Sequence, residues 1–293
     1  MNIALYGKSF SEGFDSCIQQ LVKKLEEKKC CLQIYEPFAH FLKKKVTFSG
    51  AVKTFNSYDE IQGKPDFLIS IGGDGTLLNT ITLVRDSGIP IIGVNTGRLG
   101  FLSSISKEEV FEAIEAIFTK KYFLEERTLL KLETGNSLFG DFNFALNELT
   151  VMKKDSSSMI TINTFVNNEF LNSYFADGLI IATPTGSTAY SLSCGGPIVT
   201  PESENFIITP IASHNLTVRP IVISDKYSIK LNVTENRNRR FLVSLDSRTQ
   251  TIDNSFELII KKADFKVNLV KLENEKFFST IRNKLMWGLD KRN

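Results

Sequence analysis

The chain has 293 residues, of which 42% are apolar and 23% are charged, and its formal net charge is +2. This length can build one large domain or two modest ones, and the near-neutral charge gives no general affinity for nucleic acid. No stretch approaches the ~18 consecutive apolar residues of a spanning helix, residues 1–10 lack a signal-peptide pattern, and the cysteines lack Cys-x-x-Cys spacing. We therefore expect a cytoplasmic protein with free thiols that binds neither nucleic acid nor membranes.

The first third of the chain alternates between strand-like and helix-like patterns. Short apolar runs predict strands at residues 2–6, 31–35, 66–71 and 90–94. Apolar residues at helical spacing predict helices at residues 14–29, 76–86 and 107–119. Apolar strands that alternate with helices are typical of a parallel sheet covered on both faces. We therefore expect an α/β domain with a Rossmann-like parallel sheet over residues 1–122.

The pattern changes from about residue 123 onward, where short segments rich in Val, Ile, Thr and Phe are separated by turn residues. The predicted strands include 129–134, 145–152, 160–166, 179–183, 227–233, 240–245 and 256–261. Repeated short strands predict an all-β domain over residues 123–269. Residues 277–289 show helical periodicity again. Because an isolated helix is marginally stable in water, we expect residues 270–293 to dock onto the first domain and complete it.

A glycine-rich turn, Gly-Gly-Asp-Gly-Thr at residues 72–76, follows a predicted buried strand and precedes a helix that we expect Thr76 to open. Glycines let the backbone approach a ligand, and a helix N-terminus favours phosphate. The turn lacks the Gly-Lys-Ser/Thr of a Walker A loop and the third glycine of the dinucleotide fingerprint. It therefore predicts a phosphate site of another kind.

Asp74 stands between two of these glycines, where its charge would repel a phosphate unless a cation or a hydroxyl group is also present. A carboxylate there can accept a proton from a hydroxyl nucleophile, contact magnesium through water, or do both. Phosphoryl transfer needs only a weak base, because positioning and magnesium supply most of the rest. The alternative is a simple Asp-Gly turn with a solvated carboxylate.

Two further segments combine polar side chains with apolar surroundings. Residues 176–197 carry a predicted strand followed by many hydroxyls around Gly186, which suits a polar, sugar-bearing ligand but also an ordinary strand-turn-helix connection. Asn147 and Glu148 interrupt an apolar strand pattern. A glutamate can accept hydrogen bonds from both hydroxyls of a ribose, and an asparagine can bind a base edge. The alternative is a strand end with one exposed face.

In this order and spacing, the three motifs resemble those of the NAD kinase family, whose members use ATP or polyphosphate. The turn at 72–76 is the least specific, because diacylglycerol kinases, sphingosine kinases and phosphofructokinases carry similar turns. The Asn-Glu pair at 147–148 and the segment at 177–193 are more discriminating. Residues 95–101 and 209–220 also resemble family segments, so that the similarity covers most of residues 65–250.

This resemblance implies a two-domain fold with the active site between the domains, and a homodimer or homotetramer. Asp74 would be the catalytic base for the 2′-hydroxyl of the adenosine ribose of NAD. Magnesium would be held by water and by the phosphates of ATP rather than by protein ligands. Residues that would bind the dinucleotide or line its pocket are Gly75, Phe101, Asn147, Glu148, Asp177, Thr185, Thr188, Ala189, Tyr190, Ser191, Leu192, Ser193 and Ala212. The turn at 245–248 has Ser247 where the family often has glycine, so we assign no ligand contact to it.

Two alternatives share part of this pattern. A lipid kinase of the diacylglycerol or sphingosine type would share the turn at 72–76, but it would need a membrane-facing element and would leave the hydroxyl-rich segment unexplained. A non-catalytic dinucleotide-binding sensor could share the fold, but it would have no use for Asp74.

Overall fold

The computed structural model describes residues 1–61, 63–97, 99–154, 158–234, 240–273 and 276–287. Contacts divide the chain into two units, one formed by Met1–Glu126 with Val267–Asn293 and the other by Arg127–Lys266. Residue 98 of the family-like segment and the predicted helix end at 288–289 lie outside the described residues. No helix in the described ranges is both long and apolar enough to cross a membrane.

The first unit is built on a parallel sheet. Its strands are β1 (Asn2–Gly7), β2 (Cys31–Tyr35), β3 (Lys53–Phe55), β4 (Phe67–Ile71) and β5 (Ile91–Val94). They pair in the order β3-β2-β1-β4-β5, and each pair is parallel. Leu269, from a strand late in the chain, pairs in parallel with β5. Every residue of β4 and β5 is buried, which explains why the sequence shows them as unbroken apolar runs.

In the described part of residues 1–122, four α-helices accompany this sheet. They are α1 (Asp15–Glu27), α2 (Glu36–Leu42), α3 (Asp74–Val84) and α4 (Val110–Thr119). α1 buries Ile18, Leu21 and Leu25, whose spacing predicted it. α2 was not predicted, because seven residues are too few to show a helical period. α3 begins two residues before the expected position, so that Asp74 lies in its first turn.

The second unit consists almost entirely of strands. Its strands, together with the two that connect it to the first unit, are β6 (Tyr122–Glu133), β7 (Phe144–Ala145), β8 (Glu148–Lys153), β9 (Ile160–Val166), β10 (Glu169–Ala176), β11 (Gly178–Ala182), β12 (Asn205–Ile211), β13 (Ile221–Ser224), β14 (Ile229–Thr234), β15 (Phe241–Leu245), β16 (Arg248–Ile252) and β17 (Leu258–Leu272). One antiparallel sheet has the order β13-β12-β11-β8-β15-β16. In a second sheet β10, β9, β14 and the start of β17 pair antiparallel in that order.

These two sheets share one core. Val151 and Ile181 of the first sheet and Ile162 and Leu231 of the second belong to the same buried cluster. The opposite face of β11 and β12 is covered by a segment that includes a short helix, α5 (Tyr190–Ser193). The predicted all-β region is therefore confirmed as a sandwich of antiparallel sheets.

The predicted strand at 145–152 was wrong in one respect, because the structure divides it into β7 and β8. Residues Leu146 and Asn147 between them direct their N–H groups to a side chain rather than to a neighbouring strand. The last described helix is α6 (Phe277–Leu285), which belongs to the first unit and buries Ile281.

Candidate functional site

The start of α3 in the first unit has no side chain that caps the helix. Gly73 is the N-cap residue, and no side-chain hydrogen bond satisfies the first turn. Gly72 has φ +151°, and a Cβ at this position would collide with the Thr76 side chain. Gly73 and Gly75 are exposed, and a Cβ on either would have no neighbour within 4 Å. The uncapped N-terminus is therefore accessible to an anion.

Asp74 is held by the loop that follows β5. Its Oδ2 accepts a hydrogen bond from the Phe101 N–H (2.8 Å), and its Oδ1 accepts from the N–H groups of Leu102 (3.0 Å) and Ser103 (2.8 Å). A Cβ on Gly100 would collide with this carboxylate. Because a carboxylate has about four lone-pair sites, three N–H donors fix its orientation and leave one site for a hydroxyl proton.

In the second unit, a buried carboxylate forms hydrogen bonds with the backbone of Asn147 and Glu148. Asp246 accepts hydrogen bonds from the N–H groups of Leu146 (2.9 Å), Asn147 (2.8 Å) and Glu148 (3.3 Å). Its own N–H donates to the Glu148 carbonyl (3.0 Å), and its φ is +52°. Burial raises the pKa of Asp246, while these N–H groups and the charge of Arg248 act in the opposite direction.

Glu148 has an environment that favours its protonated form. Burial, followed by the nearby charge of Asp246, raises the pKa of Glu148 to about 8, and a hydrogen bond from the Tyr190 backbone acts against them. Its Oε2 is buried and has no hydrogen-bond partner among the described residues. A protonated carboxyl can donate one hydrogen bond and accept another, whereas the sequence led us to expect acceptance from both hydroxyls.

The hydroxyl-rich segment packs directly against the Asn-Glu pair. The Thr183 hydroxyl donates to the Leu146 carbonyl, and the Thr183 N–H donates to the Asn147 carbonyl (2.9 Å). A Cβ on Gly186 would collide with that same Asn147 carbonyl, so only glycine allows this close approach. The second and third sequence motifs are therefore brought together within one unit.

Asp177 and Ala212 lie at the other end of β11 from the Asn-Glu pair, because Gly178 pairs with Met152 and Ile211 whereas Ala182 pairs with Glu148. The Asp177 carboxylate forms an ion pair with Lys153 (2.6 Å), and the Asp177 N–H donates to the Ile211 carbonyl (3.0 Å). Ala212 follows directly with φ +45°. Burial first, and then Cys194, Asp177 and Glu148, raise the pKa of Tyr190.

Two family models match this chain. ATP-NAD kinase N-terminal domain matches residues 18–122, and ATP-NAD kinase C-terminal domain matches residues 146–272. The chain belongs to the NAD kinase family.

Full-length relatives agree with this assignment. NAD kinases from Cytophaga hutchinsonii and Flavobacterium psychrophilum are each 48% identical to the chain, over 294 and 295 residues, with complete coverage of both sequences. A Bacteroides fragilis NAD kinase is 45% identical over 292 residues, again with complete coverage. The family membership and the phosphotransferase activity predicted from the sequence are thereby confirmed, and the lipid-kinase and sensor alternatives are not supported.

Solved structures of the family share the fold. Yeast NADH kinase complexed with NADH has a TM-score of 0.87 at 21% identity, covering 99% of this chain and 88% of that one. An NAD kinase from Archaeoglobus fulgidus in complex with ATP has a TM-score of 0.72 at 28% identity, covering 98% and 99%. The expected combination of a parallel α/β sheet and an antiparallel β region is confirmed.

The predicted NAD kinase site residues are divided between the units. The first unit carries Asp74, Gly75 and Phe101, and the second carries the others. Among the latter, Ser191 is buried and its hydroxyl hydrogen-bonds to Thr209 (2.9 Å), which is a structural role. The buried Thr185 accepts a hydrogen bond from Arg127 (3.2 Å). The partly or fully exposed residues of the segment are Thr188, Ala189, Tyr190, Leu192 and Ser193.

Sequence reasoning missed the residues that hold this NAD kinase site in place. Asp246 was set aside with its turn because Ser247 departs from the family pattern, yet the Asp246 carboxylate supports the Asn-Glu pair. The supporting role of Asp74 toward residues 101–103 was also missed. An aspartate directly after an apolar strand, at a tight turn, was the available signal, but its partners lie far away in sequence.

Proposed function

We propose that the chain transfers the terminal phosphate of magnesium-bound ATP to the 2′-hydroxyl of the adenosine ribose of NAD, which gives NADP. The observation that carries this proposal is the placement of Asp74 at the uncapped N-terminus of α3, held by three N–H groups. The relatives named NAD kinase support NAD as the acceptor, and the solved NAD kinase structure with ATP supports ATP as the donor.

In this proposal the first unit contributes the phosphate-binding and proton-accepting groups. The N–H groups at the start of α3 bind phosphate oxygens, because the helix dipole favours negative charge there. The unused lone pair of Asp74 accepts the proton of the attacking 2′-hydroxyl. This proton is transferred as the 2′-oxygen bonds to the terminal phosphorus and the bond between that phosphorus and the ADP oxygen breaks. Phe101 and Gly75 line the pocket beside Asp74.

The second unit contributes dinucleotide binding. Asn147 and Glu148 bind the nucleoside, and Asp177 and Ala212, at the other end of β11, contact another part of the dinucleotide. The backbone of residues 185 and 188–193, with the exposed side chains among them, adds further contacts to the dinucleotide within this unit. Because Oε2 of Glu148 is buried without a partner among the described residues, a ligand hydroxyl there would satisfy it.

Magnesium enters this proposal with the triphosphate. The Asp74 carboxylate is already bonded to three N–H groups, and within the described ranges no group of three His, Cys, Asp or Glu side chains could hold a metal ion. Phosphate oxygens and water suit Mg²⁺, which neutralises the charge of the transferring phosphate when bound. We further propose that the enzyme works in the cytoplasm as a homodimer or homotetramer. Light scattering of the purified chain would measure the size of the oligomer.

The decisive experiment measures NADP formed by the purified chain from NAD and magnesium ATP. A coupled assay with an NADP-specific dehydrogenase would report the product, and parallel reactions would replace ATP by other triphosphates or polyphosphate, and NAD by NADH. The proposal predicts NADP from at least one donor. If NAD binds but no donor gives NADP, the proposed function is wrong.

The Asp74→Asn variant tests the proposed base. Turnover should fall about 100-fold or more, because an amide cannot accept the hydroxyl proton. Asp15→Asn is the matched control, since Asp15 is the first residue of α1 in the same unit. Thermal unfolding of both variants would show whether the fold is retained. Unchanged turnover in Asp74→Asn would exclude the base role.

A further inference from the structure

Lys284 of helix α6 lies against the loop at residues 101–103, which holds Asp74. Ile281 is buried, and Lys284, one turn later on the same face, is partly buried, whereas Arg282, Asn283 and Leu285 are exposed. The Lys284 ammonium lies over the Phe101 ring, with Nζ 4.5 Å from the ring centroid. The N–H of the same Phe101 donates to Asp74 Oδ2 (2.8 Å). One residue therefore links this ammonium to the carboxylate.

A second lysine stands behind the same loop. Lys271 on β17 is buried, and its Nζ donates to the Ser104 hydroxyl (2.7 Å). Burial first, and then the charge of Lys271, lower the pKa of Lys284 to about 8, while Asp74 acts in the opposite direction. Among the described residues, the charges that act on Lys284 at this loop are those of Asp74 and Lys271.

The position of Lys284 over Phe101 contributes little to the stability of the fold. A cation over an aromatic ring at a partly exposed site contributes about 0.5–1 kcal/mol, and burying an ammonium close to another one opposes that gain. A partly buried lysine could also extend its long side chain so that the ammonium reaches solvent. The arrangement is more useful when further negative charge arrives, because the start of α3 must then hold both the Asp74 carboxylate and a triphosphate.

We propose that Lys284 is a positioning residue for phosphoryl transfer, whose ammonium, seated on Phe101, holds the loop at 101–103 against Asp74 and offsets the negative charge that gathers at the start of α3. This inference rests on the proposed function. It gives the terminal helix a part in the reaction, although α6 contributes none of the residues in the family motifs.

Three variants test the proposal by steady-state kinetics. Lys284→Met removes the charge, Lys284→Arg keeps it, and Arg282→Met removes a cation from the exposed face of the same helix as a matched control. We expect Lys284→Met to lower kcat about 10- to 100-fold, because the loop that orients Asp74 would be less well positioned. Lys284→Arg should keep most of the rate, and Arg282→Met should resemble the wild type.

The pH profile separates a charge effect from a packing effect. Below pH 8 Lys284 carries its proton, so the wild-type rate should fall as pH rises through about 8. Arginine stays protonated in this range, so Lys284→Arg should keep its rate to higher pH than Lys284 when both chains also carry Glu148→Gln, because Glu148 titrates near pH 8 as well. Lys284→Gln provides a second neutral variant if Lys284→Met does not fold, which thermal unfolding would reveal.

The possible outcomes are distinct. The proposal is supported if the neutral variants Lys284→Met and Lys284→Gln are slow and Lys284→Arg restores the rate. It also requires that, in chains that carry Glu148→Gln, the rate of Lys284→Arg persists to higher pH than that of Lys284. Equal rates of the wild type and both neutral variants overturn it, as does an arginine variant that is as slow as the neutral ones and loses its rate at the same pH as Lys284. A wild-type chain that makes no NADP refutes the proposed function itself, and this inference with it.

Discussion

The protonation of Glu148 offers a test that is independent of catalysis. Its pKa of about 8 in the folded protein, against an ordinary 4.5, means that the folded protein keeps a proton that the unfolded chain has lost between these pH values. Stability should therefore be fully present below about pH 4.5 and should fall as pH rises toward 8. At 1.36 kcal/mol for each pKa unit, the separation corresponds to roughly 5 kcal/mol.

Partial solvent exposure of Glu148 reduces this figure, so we expect about half of it, roughly 2 kcal/mol. The Glu148→Gln variant keeps the shape but cannot ionise, and its stability should not show this loss. Urea unfolding of the wild type and the variant at pH 5, 6, 7 and 8 measures the difference. The stability of Glu148→Gln relative to the wild type should rise by about 2 kcal/mol across the series.

An exposed carboxyl in the same unit provides the control. Glu169 begins β10, and Glu169→Gln should give a curve parallel to the wild type. Because the Asp246 charge acts on Glu148, the measured difference belongs to the interacting pair. If the Glu148→Gln and wild-type curves stay parallel within about 0.5 kcal/mol, the proposed burial of a protonated carboxyl is wrong.

Two further predictions follow from the aspartates that hold the site backbone. Gly100→Ala should displace the Asp74 carboxylate without changing its charge, and turnover should fall at least about 10-fold. Gly97→Ala in the same loop is the control, because the nearest atom to the new Cβ is 4.0 Å away. This variant should have little effect on NADP formation. Asp246→Asn should destabilise the chain by about 1–3 kcal/mol in urea unfolding, because its amide NH₂ would face an N–H donor of residues 146–148. Asp246→Asn should also shift the pH range in which the Glu148-dependent stability is lost to lower values, because the charge that raises the pKa of Glu148 is removed. If the midpoint of that loss stays at the same pH, the electrostatic coupling between Asp246 and Glu148 is wrong.

The sequence alone determined the elements whose cause is local. The strands Cys31–Tyr35 and Ile160–Val166 have the predicted limits, because an apolar or alternating pattern is set by which faces of a strand are buried. The glycine-rich turn, the Asn-Glu pair and the hydroxyl-rich segment were also recognisable, since each needs particular residue types at short spacing. These motifs were sufficient to indicate the family.

Only the tertiary structure decided how these motifs are held. The carboxylate of Asp74 is bonded to N–H groups 27 to 29 residues away, and that of Asp246 to N–H groups 98 to 100 residues away. The contact with Asp246 also divides the predicted strand at 145–152, and burial first, followed by the Asp246 charge, raises the pKa of Glu148. Lys284 reaches Phe101 only because α6 folds back onto the first unit. Hydrogen bonds and charges act through space, so a linear pattern cannot show which distant groups will share one site.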